Sequence, residues 1–149
     1  MIDTSSFTIL RREYPRDVFA PVWDHVGSLL NSGQILSCED VYIELIQQDD
    51  ILAKWIKEYK RVFLPLDEDT QEVAKDILRK FPTLVDLKKK KSSADVFLIA
   101  SAIREGCTVV SEENKSGGPQ KVKIPDVCRE MNVRCIRLLD LIRESGFKL

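Results

Sequence analysis

What most constrains this chain is the alternation of short, wholly apolar segments with amphipathic ones along its 149 residues. Apolar runs fall at residues 62–66, 108–111 and 133–136, with a shorter strand or turn at 34–37 and an opening strand over 1–7 that ends in Asp3-Thr4-Ser5-Ser6. Runs without polar alternation are those of strands buried on both faces, as in a parallel sheet covered by helices. Between them, apolar residues recur at helical spacing. Val18, Val22, Val26, Leu29 and Leu30 mark a helix over 15–30 that stops at Gly33. Val41, Tyr42 and Leu45 mark 39–47; Ile51, Leu52, Trp55 and Ile56 mark 49–59; Val73, Ile77, Leu78 and Phe81 mark 67–81. Shorter helices are predicted over 125–132 and 138–144. The expectation is one α/β domain over 1–149, three layers deep, with a central parallel sheet flanked by helices.

The stretch after the four lysines Lys88, Lys89, Lys90 and Lys91 opens a helix over 93–105 that stops at Gly106. Ser92 reads as its N-cap, and Asp95, three residues on, completes a capping-box pattern. Ala94, Phe97, Leu98 and Ala102 fall on its buried face, so Asp95 sits beside core in a first turn that favours an anion.

Hydrophobic residues make up 44% of the chain and charged ones 32%, the balance of a globular protein. No apolar run is long enough to span a bilayer, and no basic-then-apolar leader opens the chain. Cys38, Cys107, Cys128 and Cys135 lack CxxC spacing and are expected as reduced thiols in a cytoplasmic protein. With His25 the single histidine, and that in an amphipathic helix, a zinc site is not expected. A net charge of −1 supplies no general attraction for nucleic acid, so any such binding must come from local patches.

Acids stand at the ends of these elements. In open parallel sheets, ligands bind at the carboxyl ends of the strands. Asp3 ends the first strand, Glu112 and Glu113 end the strand at 108–111, and Asp95 and Asp126 open helices on that same side. Glu44 lies on the flank of a buried helical face, between Val41 and Leu45. Gathered at one edge, such carboxylates repel one another and raise their own pKa values. Mg²⁺ or Mn²⁺, which prefers carboxylate oxygens and water, resolves that repulsion.

Four segments in this order resemble the motifs of PIN-domain ribonucleases: Ile2-Asp3-Thr4-Ser5-Ser6, Val41-Tyr42-Ile43-Glu44-Leu45, Ala94-Asp95 with the alanine-rich helix after it, and Val109-Val110-Ser111-Glu112-Glu113. The tail from Gly117-Gly118-Pro119 to Asp126-Val127-Cys128 resembles a PIN-like subfamily called DUF4411. The resemblance implies a PIN fold and a metal-dependent endoribonuclease that leaves 5′-phosphate and 3′-hydroxyl ends, commonly the toxin of a toxin–antitoxin pair and often a homodimer. It carries the metal-binding role onto Asp3, Glu44 and Asp95, and the role of assisting the first acid onto Ser5. The fourth position departs from the pattern, with Glu113 where the family has Asp. Glu113, its neighbour Glu112 or Asp126 is then the fourth acid.

Two basic groups flank this centre: Lys88 to Lys91 before Asp95, and Lys115, Lys121 and Lys123 after Glu113. They are candidates for RNA phosphate contacts. Trp23, Trp55 and Tyr59 lie on helical faces and point to core or partner, and Trp55 with Leu52 and Ile56 is a candidate groove for an antitoxin helix. Two alternatives stay open. One is a PIN-like module that binds RNA or protein without cutting. The other is a receiver or dehalogenase-type phosphatase using Asp3 as nucleophile, although the phosphatase needs a second Asp where this chain has Ser5.

Overall fold

Three residues at the N-terminus lie between two pairs of parallel strands. The computed structural model describes residues 1–84, 93–115 and 122–149. Strand β1 (Ser37–Cys38) pairs with β2 (Phe63–Leu64), and β3 (Val109–Val110) with β4 (Cys135–Ile136), both in parallel. The Ile2 amide donates to the Leu36 carbonyl at 2.9 Å on one side. On the other, the Asp3 amide donates to the Val110 carbonyl at 2.9 Å, and the Val110 amide to the Met1 carbonyl at 2.7 Å. Among the described residues the regular ladders are thus two pairs of two-residue strands, with Ile2 a single bridged residue beside Val110.

The strand expected over 1–7 is shorter because a helix begins at once. Helix α1 (Thr4–Glu13) buries Ser6, Phe7 and Leu10, and the Asp3 carbonyl accepts the amides of Ser6 and Phe7. Thr4-Ser5-Ser6 are weak helix formers, so the spacing of Phe7 and Leu10 sets this element against local propensity. Helix α2 (Ala20–Asn31) starts later than its periodicity suggests, leaving Val18 66% exposed outside it, and Gly33 follows with φ +73°.

Helices α3 (Glu39–Ile46) and α4 (Ile51–Ile56) follow β1, and a 3₁₀ turn, Lys57–Val62, carries the chain into β2. Leu52, Trp55 and Ile56 are buried, which removes the groove expected for a partner helix: their apolar area is already covered. Helix α5 (Glu68–Lys80) buries Thr70, Ala74 and Ile77, while Val73, Leu78 and Phe81 are half-buried.

Helix α6 (Ala94–Glu105) is buried almost all round, with Val96, Ile99, Ala100 and Ser101 as well as Ala94, Leu98 and Ala102 of the expected face, Phe97 being half-buried, and ends at Gly106 in the left-handed region (φ +65°). A helix apolar on every side belongs in a core. The cap expected at Ser92 lies outside the described residues. Helices α7 (Ile124–Glu130) and α8 (Leu138–Glu144) complete the set.

His25 has a structural place: its Nε2 hydrogen-bonds the Ser145 hydroxyl at 2.7 Å, and its ring packs on Phe147. The four cysteines are free thiols, and burial pushes Cys38 up to about 12. Among the described residues no helix is long and apolar enough to cross a membrane.

Candidate functional site

Because α1 starts at Thr4, Asp3 is its N-cap residue, with extended backbone (φ −90°, ψ 158°), yet its side chain does not cap the helix. The carboxylate instead accepts the Ser5 hydroxyl at 2.5 Å and the Ser111 hydroxyl at 3.0 Å. Asp3 is 5% exposed. Burial pushes its carboxyl above the ordinary aspartate range; the two serine hydroxyls pull it back, and the charge of Glu113 pushes it further up.

Each remaining acid is held by a different element. Glu44, half-buried on α3, accepts the Thr4 hydroxyl at 2.5 Å. Asp95, also half-buried, stands in the first turn of α6 between buried Ala94 and Val96. Glu112 accepts the Leu138 amide at 2.7 Å and Glu113 the Ile124 amide at 3.0 Å, so the two carboxylates meet the N-termini of α8 and α7. Both contacts satisfy orphan amides and oppose the positive end of a helix dipole. The amides of Glu112 and Glu113 donate in turn to the hydroxyls of Ser5 (3.0 Å) and Ser111 (3.2 Å). Asp3, Ser5 and Ser111 thereby tie the end of β3 to the start of α1.

The result is a cleft of about 510 Å³ that carries Asp3, Glu44, Asp95, Glu112 and Glu113 on its walls, together with Thr4, Ser5, Thr8 and Arg12 from α1. Asp126 does not line it. Its carboxylate accepts the Lys123 amide at 3.0 Å, closing the first turn of α7, and it is 9% exposed. Lys123 is the half-buried N-cap residue of that helix. Lys115 lines an adjoining cleft of about 590 Å³ that shares Glu113 with the first. Lys88, Lys89, Lys90, Lys91 and Lys121 lie outside the described residues.

The donor set is made of carboxylates and hydroxyls, hard oxygen ligands of the kind that suit Mg²⁺ or Mn²⁺ rather than a soft ion. Among the described residues no three acidic, histidine or cysteine side chains are grouped closely enough to hold a metal ion as they stand. The acids share a cleft without closing on one point.

Thr8 and Arg12 escaped the sequence reading, in which Thr4 and Ser111 stood as motif positions without a role of their own. Thr4, Thr8 and Arg12 recur at i, i+4 and i+8, one face of a helix, and the pattern appears only once residues 4–13 are taken as helical. Ser111 directly follows β3, as Asp3 directly follows the bridged residue Ile2. No curated protein matches the chain. The family model described as "Domain of unknown function (DUF4411)" matches residues 1–149, and the chain belongs to that family.

Proposed function

We propose that this chain is a PIN-like, Mg²⁺- or Mn²⁺-dependent endoribonuclease, cytoplasmic, and the toxin of a type II toxin–antitoxin pair. One observation carries the hydrolase reading: acids from separate stretches of sequence, Asp3, Glu44, Asp95 and the Glu112–Glu113 pair, line a single cleft. The fold reading draws on the same N-terminal residues. Met1 to Asp3 hydrogen-bond to both ladders, an arrangement consistent with a central parallel sheet ordered β2, β1, residues 1–3, β3, β4.

Asp3, Asp95 and Glu113 would hold the ion, with Glu44 assisting. When bound, the ion supplies a lowered pKa for water and neutralises charge on the phosphate. The chain supplies position. Ser5 and Ser111 orient the Asp3 carboxylate, and Thr4 fixes Glu44. Capping of α7 and α8 holds Glu113 and Glu112 against the charge they share with Asp3. The antitoxin partner and a homodimer are inferred from the motif resemblance.

Incubating RNA with the wild-type protein and Asp95→Asn in Mn²⁺ tests this reading. Cleavage by wild type to 5′-phosphate ends, lost in Asp95→Asn, is the expected result. Absence of cleavage by both would overturn it in favour of a PIN-like module that binds RNA or protein without cutting. That second reading draws on Glu112 and Glu113 already being engaged on helix N-termini.

A further inference from the structure

Resting on the RNA-hydrolase reading, we propose that Arg12 is the phosphate-binding wall of the acid cleft, contacting a backbone phosphate of single-stranded RNA beside the one that is cut. The cleft's own hydrogen-bond donors are already engaged. Along the α1 side of the cleft, the Thr4 hydroxyl is given to Glu44, the Ser5 hydroxyl to Asp3 and the Thr8 hydroxyl to the Thr4 carbonyl. On the opposite side, the amides of Glu112 and Glu113 are given to Ser5 and Ser111. A phosphate entering this cleft therefore meets acceptors almost everywhere.

Arg12 is the exception. It is the one cationic side chain lining the cleft among the described residues. Two turns along α1 from Thr4, it falls on the same helical face as Thr4 and Thr8. Its Nε bonds Glu13 at 2.7 Å, an exposed contact between adjacent residues (side chains 64% and 54% exposed), and such pairs hold weakly. Its terminal nitrogens have no partner among the described residues, and a guanidinium presents them as a fork that matches two phosphate oxygens. The neighbouring Arg11 is committed differently, ion-paired to Asp50 at the start of α4. Two consecutive arginines thus divide the work: one staples α1 to α4, and the other faces the cleft.

A fluorescein-labelled single-stranded RNA of mixed sequence is titrated with wild type, Arg12→Ala, Arg12→Lys and Glu13→Gln, in Mg²⁺ and at several salt concentrations. Binding is read by fluorescence anisotropy and cutting of the same RNA separately by denaturing gel. Arg12→Ala should bind roughly tenfold more weakly, the loss of one charge-assisted contact. Its log–log salt slope should be shallower by about 0.7, one single-strand phosphate. Arg12→Lys should keep the slope and lose part of the affinity, and Glu13→Gln should bind at least as well as wild type. An unchanged thermal midpoint verifies that the exposed substitutions leave the fold alone. Equal affinity and slope for wild type and Arg12→Ala overturns the proposal even where wild type cuts RNA. Arg12-dependent binding by a protein that cuts nothing keeps the phosphate contact and overturns the hydrolase reading, and with it the contact's place beside a scissile phosphate. No RNA binding by wild type overturns the proposal.

Discussion

The aromatic cluster around Trp23 and the acid cleft are built on opposite terms. Trp23 is fully buried, meets Trp55 edge-on with ring centroids 4.9 Å apart, and gives its indole N–H to the Tyr14 carbonyl at 2.6 Å. Trp55 packs against the tilted ring of Tyr59 at 4.9 Å, and Tyr59 closes over Gly27. Every group there gains from its neighbours through apolar burial and favoured ring geometry. In the cleft, like charges share one space, and Asp3 is driven up by burial and by Glu113, with two serine hydroxyls only partly compensating. One region stabilises the fold. The other sets burial and like charge against a carboxylate.

This contrast is open to attack by substitution. The largest effect expected is from Trp23→Ala, about 3–5 kcal/mol of lost stability in denaturant unfolding, because a fully buried aromatic leaves a cavity. Asp95→Asn should lower RNA cleavage in Mn²⁺ by at least about a hundredfold while the unfolding midpoint holds or rises. A large fall in stability there would show that the cleft is part of the structural core. Gly27→Ala places a Cβ 2.6 Å from the Tyr59 hydroxyl, so overpacking should cost about 1–3 kcal/mol, read by thermal unfolding.

Ser111→Ala removes one donor from buried Asp3 and should cost about 1 kcal/mol. The same change should weaken Mn²⁺ binding roughly tenfold, measured by calorimetry.

The smallest effect is a pH dependence. The folded chain holds the Asp3 proton more tightly than the unfolded one, so this stabilisation is complete below the ordinary aspartate pKa and is lost as pH rises through the raised folded value. Asp3→Asn should flatten that fall and melt above wild type at neutral pH in EDTA, with Mg²⁺ reversing the order. A wild-type curve already flat across this window would remove the penalty assigned to the cleft.

Much of this was legible in advance where periodicity is strong. The α8 boundaries and the α6 stop at Gly106 follow directly from apolar spacing and a residue free to take φ +65°. Helix α1 did not, because Thr4-Ser5-Ser6 have turn-like propensities that packing of Phe7 and Leu10 overrides. Burial of Trp55 was equally hidden, since spacing marks a helical face without saying what covers it. Asp3, Asp95, Glu112 and Glu113 were nameable from their places at the ends of elements and Glu44 from the flank of a buried helical face, and the structure sets them around one cleft. Asp126 shared that placement, but its carboxylate turns back to the Lys123 amide of its own helix. Arg12 was invisible for as long as residues 4–7 read as strand.

The most direct test of the account is Mn²⁺ binding followed by the loss of free-ion EPR signal, in wild type, Asp3→Asn, Asp95→Asn and Asp126→Asn. Saturable binding to wild type is expected, abolished in the first two variants and retained in Asp126→Asn. Binding that is absent from wild type, or that survives both Asp3→Asn and Asp95→Asn, would contradict it.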